Sequence, residues 1–228
     1  ARVLPGSRVA VSAVGAHVVQ ATPGSGLPTV QVNGSALSPT RVSFDGVLFG
    51  ADPDVPVVSV GGDGGSTSRL VLRRCEVLDS APPVRVAFLT SVQAYVEIVA
   101  CTLAGPAVVD ARSSTVVLRD AQVRGDMSVV GPSSTLTIEG SRVDGTLSAQ
   151  GNVQVFGSRI TAMYVMRGSV VTLQHSVVET LTLEDGATVL ASTSRVGAVA
   201  GDPRGIYDPD RASGVLSFSG ESDKAVEF

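Results

Sequence analysis

The sequence predicts an all-β chain: a single-domain right-handed parallel β-helix, or solenoid, of about eight to nine coils. Three observations predict it. A nine-residue apolar template recurs eight times, the later copies settle to a short and nearly constant spacing, and the composition favours β-branched and small side chains over aromatic ones.

Composition comes first because it bounds the rest. A chain of 228 residues is near the upper size for one domain and long enough for a continuous core. Val occurs 41 times, aromatics make up 4% and Trp is absent, so the core is aliphatic and suited to stacked strands. Charged residues are 17%, below the roughly 25% usual for soluble domains. The net charge of -4 gives no general attraction to nucleic acid or to an anionic membrane. No apolar run approaches the roughly 18 residues that span a bilayer, so membrane insertion is not expected. A start at Ala1 is compatible with signal-peptide removal and equally with a trimmed or excised chain.

The template runs through the stretches that begin at Arg41, Arg69, Tyr95, Thr115, Thr135, Asn152, Val170 and Thr188. Its second position is Val42, Leu70, Val96, Val116, Leu136, Val153, Val171 and Val189. Its fourth is Phe44, Leu72, Ile98, Leu118, Ile138, Val155, Leu173 and Ala191. Its ninth is Phe49, Val77, Leu103, Val123, Val143, Ile160, Val178 and Val196. All 24 are apolar. Positions two and four alternate as a half-buried strand does, and two residues then intervene before a small seventh residue and the apolar ninth. That phase slip predicts a corner.

The seventh position falls at Val47, Cys75, Cys101, Ala121, Ser141, Ser158, Ser176 and Ser194, so the spacing is wide in the first copies and tight in the last. The last four fix the length of the minimal repeat: about 18 residues close one three-sided coil. A second inward pair follows most copies: Met127 with Val129, Leu147 with Ala149, Met163 with Val165, and Leu181 with Leu183. Residues 1–40 read as an N-terminal cap or first irregular coil, with Val9-Ala-Val11 as its strand-like phrase. Residues 41–200 read as regular coils and 201–228 as a last partial coil or cap.

This template resembles the repeats of the right-handed parallel β-helix superfamily typified by pectin lyases and phage tailspikes. The resemblance covers about residues 41–196 and rests on the apolar pattern. The compact later coils, punctuated by Gly125-Asp-Met, Asp144-Gly-Thr-Leu and Glu184-Asp-Gly, also look like bactofilins, bacterial β-helical scaffold polymers, though that likeness is weaker. A left-handed hexapeptide helix is the structural rival, because Val165, Val171, Val177, Leu183 and Val189 fall six apart. That run breaks at Arg159 and Arg195, and the wide early coils between Val47 and Cys101 fit it poorly.

The superfamily resemblance implies that enzymatic members act on polysaccharide, with carboxylates or carboxylate-bound Ca²⁺ and a basic residue on an outer sheet face. Two outward columns could carry such a set. The fifth is Asp45, Arg73, Val99, Arg119, Glu139, Phe156, Gln174 and Ser192; the eighth includes Glu76, Gln122, Arg142, Arg159 and Arg195. Neither column sets two carboxylates side by side. Arg119 beside Glu139 reads as an exposed cross-rung ion pair; with Asp120, these are the first residues to inspect for catalysis. His17 and His175, the only histidines, lie in distant copies. Asp202, Asp208 and Asp210 fit a Pro-punctuated turn better than a Ca²⁺ site. No catalytic residue, cofactor or metal ligand is expected.

Cys75 and Cys101 both occupy the seventh position in adjacent rungs, as a disulfide or as stacked buried thiols. Excess residues in the early coils fall in 50–56, 61–65 and 79–83, loops rich in Gly, Pro and Asp. Asp52, Asp54, Asp63 and Asp79 there are the expected binding residues. The function these features favour is a non-enzymatic structural or surface-recognition protein: a virion or tail-fibre component, a cell-surface module or a self-associating scaffold. Its expected partners are copies of itself, another structural protein or a glycan. Its expected location is extracellular, at a cell surface or in a virion, or cytoplasmic if it is bactofilin-like. A polysaccharide lyase or glycoside hydrolase is the alternative.

Overall fold

The computed structural model describes residues 2–3, 8–12, 18–19, 30–34, 40–50, 57–62, 68–77, 86–92, 94–104, 107–112, 114–130, 133–201, 203–207 and 226–227. Through these the chain is an all-β parallel solenoid, with one 3-10 turn at Pro203–Gly205. Strands such as Thr135–Glu139 bury every second residue, and each stacks in register on the next, Leu136 on Val153 and Ile138 on Val155. All 24 apolar template positions are at most 5% exposed. Like sits on like because each coil repeats the path of the one before.

One sheet has ten strands, one from each rung. The coil count differs slightly from the eight to nine expected, because Arg8–Ser12 and Ile206–Tyr207 add a rung at either end. A sixteen-stranded sheet makes the remaining sides. In early coils these sides are separate strands, such as Gln122–Val123 and Met127–Val130. Arg142–Ala149 pairs with both, and later coils carry one long bent strand, as in Arg159–Val165 and Val177–Leu183. This fusion occurs where the repeat shortens from 20 residues, between Ala121 and Ser141, to 17, between Ser141 and Ser158. The first fused strand needs a glycine where it lies over the unfused rung: a Cβ on Gly145 would lie 2.6 Å from the backbone nitrogen of Asp126 in the rung below. Val226–Glu227 runs antiparallel against Arg195–Gly201, the one antiparallel pairing among the described residues.

The phase slip is a left-handed backbone residue. Position six has positive φ in every copy: Gly46, Arg74, Ala100, Asp120, Gly140, Gly157, His175 and Thr193, with φ from 47° to 69°. Its N–H continues the ladder, donating to the fifth-position carbonyl of the next rung, as Ala100 does to Arg119 at 2.8 Å. The next N–H has no carbonyl in line and uses a side chain. Those of Ala121, Ser141, Ser158 and Ser176 donate to Oγ of Ser141, Ser158, Ser176 and Ser194, at 3.0 to 3.3 Å. Each of these hydroxyls donates in turn to the carbonyl two residues back in its own rung, at 2.8 Å. The N–H at position eight donates to the seventh-position carbonyl of the previous rung, as Arg142 does to Ala121.

A second column stands just before the template copies, polar in five of the eight, at Thr40, Ser68, Ser114, Ser134 and Ser169. There the N–H of Ala94 donates to Ser114 Oγ at 3.0 Å, and that of Gly151 to Ser169 Oγ at 3.2 Å. Every buried polar residue among the described residues belongs to these two corner columns, except Glu97.

Five position-six residues are not glycine, and the left-handed conformation costs L-residues roughly 1–2 kcal/mol. Thr193 and Ala100 are exposed there, and no hydrogen bond of either side chain offsets that cost among the described residues. Thr193→Gly and Ala100→Gly should each raise stability by about 0.5–1 kcal/mol after the unfolded-state entropy of glycine is subtracted. Denaturant unfolding checks this. A fall in midpoint for both would contradict the corner geometry.

Candidate functional site

The corner gives the cysteines their place. Cys75 and Cys101 are free, buried thiols in the seventh-position column. The Cys75 N–H donates to Cys101 Sγ at 3.3 Å, and each thiol donates to the carbonyl two residues back, at 3.2 and 3.3 Å. They do what the serines do above them. The hydrogen bond with Cys75, and then burial, push the Cys101 thiol up from its ordinary value.

The expected binding residues Asp52, Asp54, Asp63 and Asp79 lie outside the described residues, as do His17, Asp202, Asp208 and Asp210. His175 is an exposed position-six corner residue. Asp120 occupies the same column, with its carboxylate against Gly140 of the next rung, where a Cβ would meet Oδ1 at 2.7 Å.

What the fold does assemble is a charged outer face on the ten-stranded sheet, across the rungs Arg41–Asp45, Ser68–Arg73, Ala94–Val99, Thr115–Arg119 and Thr135–Glu139. Outward positions one, three and five project from it at each rung. Glu97, at position three, is only 6% exposed and lies between two arginines. Arg69 reaches it from the rung before at 3.1 Å, and Arg119 from the rung after at 2.7 Å. Arg119 also holds Glu139 at 2.6 Å, so the expected Arg119–Glu139 pair is one link of a chain running Arg69, Glu97, Arg119, Glu139. The Arg69 guanidinium lies 4.8 Å above the Tyr95 ring centre, a cation–π contact. Reading only the fifth and eighth columns misses Glu97. The signal for it is a position-three carboxylate with basic residues diagonal to it in both neighbouring rungs.

Below this chain, Arg74 grips Asp45 with both ends of its fork, at 2.8 and 2.6 Å. That hydrogen bonding holds the Asp45 carboxyl below its ordinary value. The resulting stabilisation is present above the usual carboxylate range and is lost as pH falls through the lowered pKa. Arg73, in register beside Asp45, acts on that carboxylate by its charge but forms no ion pair with it, and Arg41 has no ion-pair partner among the described residues. Two shallow hollows share Arg73. One, of about 380 Å³, is lined by Arg41, Ser43, Arg69 and Arg73 over Val71; the other, of about 440 Å³, reaches from Asp45 and Arg73 to Glu97 and Arg119.

The later eighth-position column is different. Arg142, Arg159, Val177 and Arg195 stack in register as expected. Arg142 is paired with Asp144, and Arg159 holds Glu179 through Nε and a terminal nitrogen, at 3.1 and 2.6 Å. Among the described residues no three side chains of His, Cys, Asp or Glu converge as metal ligands.

No protein-family model, curated protein or solved structure matches the chain.

Glu97 is the hub of the face, and its replacement tests that. Glu97→Gln should lower stability by about 1–2 kcal/mol, a figure discounted because both arginines are partly exposed. The difference from wild type should shrink in about 1 M salt, measured by urea unfolding. An unchanged midpoint at low salt would remove Glu97 from that role.

Proposed function

We propose that this chain is a non-enzymatic recognition rod: a rigid β-solenoid that presents one charged face, on a cell surface or virion or as part of a self-associating scaffold. One observation carries the reading. The carboxylates carried by the strands of the outer face are each engaged by arginine, Asp45 by Arg74, Glu97 by Arg69 and Arg119, and Glu139 by Arg119, whereas Asp120, at the corner, pairs with no arginine among the described residues. Carboxylates held this way stitch consecutive rungs together and are poorly placed to exchange protons with a bound sugar. Self-association through the solenoid, or docking on another structural protein, fits a regular rod whose coils each bury the inner face of a neighbour. The likeness to pectin-lyase and tailspike solenoids rests on repeat pattern and architecture, and fold alone does not carry activity.

The rival is a polysaccharide-processing enzyme built on Arg119, Asp120 and Glu139. Incubation with uronate-rich and neutral polysaccharides, with and without Ca²⁺, is expected to release no reducing or unsaturated ends. Turnover that disappears in Glu139→Gln would overturn the non-enzymatic reading and install the rival.

A further inference from the structure

Resting on that reading, we infer that the recognition face binds a polyanionic polysaccharide, whose oxyanion groups lie along the early rungs between Arg41, Arg69 and Arg73. The argument is one of charge left over after pairing. Counting the corner residues Arg74 and Asp120 with the strands, the face carries five arginines, Arg41, Arg69, Arg73, Arg74 and Arg119, against four carboxylates, Asp45, Glu97, Asp120 and Glu139. The surplus is localised. Both oxygens of Asp45 are taken by Arg74, and the oxygens of Glu97 are divided between Arg69 and Arg119. Arg41 and Arg73 are exposed and form no ion pair among the described residues, although Arg73 stands in register beside Asp45 and its charge acts on that carboxylate, on a chain whose net charge is -4.

Both line the 380 Å³ hollow, with Arg69 between them and Ser43 beside them. Arg69 makes a single contact to Glu97 and is half exposed, so further guanidinium N–H groups remain open to a ligand. Guanidinium forks select planar or tetrahedral oxyanions, which points to carboxylate or sulfate rather than neutral hydroxyls. The backbones of Arg41 and Arg73 are four template positions and one rung apart, about 14 Å at ordinary strand spacings. Charges repeated along a polymer suit that separation better than one small ion does. A nucleic acid would use aromatic faces for its bases, and the Tyr95 ring on this face is covered by Arg69. In the later arginine column Arg142 and Arg159 are satisfied by Asp144 and Glu179, and Arg195, without an ion pair among the described residues, stands two rungs from Arg159 with Val177 between them.

The test is affinity electrophoresis and titration of the intact chain with dextran sulfate and polygalacturonate. Uncharged dextran, inorganic sulfate and single-stranded DNA serve as comparison arms. Dextran sulfate or polygalacturonate should bind, with affinity falling as salt rises, and uncharged dextran should not. Inorganic sulfate should compete only weakly. Arg41→Gln and Arg73→Gln should each weaken binding about tenfold, the loss of one charge-assisted contact, with melting temperatures unchanged because both residues are exposed. Arg142→Gln and Arg159→Gln should bind as wild type does. The inference is overturned if neither polymer binds, if the Arg142 and Arg159 variants lose as much as the Arg41 and Arg73 variants, if inorganic sulfate binds as tightly as the polymers, or if DNA binds more tightly than either. Polymer cleavage in the same mixtures would instead overturn the non-enzymatic reading, so the two failures are separable.

Discussion

Each coil must turn a corner inside a continuous hydrogen-bond ladder, and the rest of the structure depends on how that corner is satisfied. A parallel ladder runs along straight strands without help, but a turn carries N–H groups out of line with the carbonyls above and below. A buried donor left unpaired costs about 1–3 kcal/mol, and here the cost would recur in every rung. The left-handed residue at position six keeps its own N–H in the ladder. Where position seven is Ser or Cys, as at Cys101, Ser141, Ser158, Ser176 and Ser194, its hydroxyl or thiol then accepts from the N–H below it, a role that the side chain of Ala121 cannot fill. Apolar columns fill the space inside the coil; the corner decides that the columns stack.

The outer face follows from the same register. Because rungs stack residue on residue, a charge meets the same template position one rung away and different positions diagonally. The early rungs place Arg69 and Arg119 diagonal to Glu97, which is how a nearly buried carboxylate is tolerated on a sheet surface. The later rungs pair Arg159 with Glu179 across one rung and Arg142 with Asp144 within one strand. Charge is therefore closed locally at Arg142 and Arg159, and left without an ion pair at Arg41 and Arg73 in the wide coils and, among the described residues, at Arg195 in the last compact one. The fold provides a stiff backdrop, and the difference between these two regions is what a partner would read.

The apolar columns are legible in the sequence because burial leaves little choice at positions two, four and nine: Leu118, Ile138 and Val155 differ in shape but share a requirement. The corner is legible as a slip in phase and as a run of small residues from Ala121 to Ser194. Its mechanism is not. Arg74, Ala100, Asp120, His175 and Thr193 share no chemistry, so a conformational requirement on the backbone leaves no common residue type beyond scattered glycines. Glu97 escapes a column-by-column reading because its partners lie diagonally, one strand before and one after. The fusion of two sides at Arg142–Ala149 shows in the sequence only as a shorter repeat, although Gly145 marks where the first fused strand crosses the unfused rung below it. The carboxylates Asp52, Asp54, Asp63 and Asp79, outside the described residues, stand out by composition, whereas the charged face emerges from register.

The most direct test of the corner is native-state hydrogen exchange on Ser158→Ala, with Ser158→Cys beside it. Ser158 Oγ accepts from the Ser141 N–H at 3.0 Å, and no other hydroxyl is recorded in that role for Ser141 among the described residues. If the side-chain ladder holds the coils, the alanine variant loses about 1–3 kcal/mol and its protection falls first at the Ser141 amide. The cysteine variant should recover much of both, since Cys101 serves the Cys75 N–H in the same column. Unchanged stability with unchanged protection of the Ser141 amide in Ser158→Ala would contradict the account.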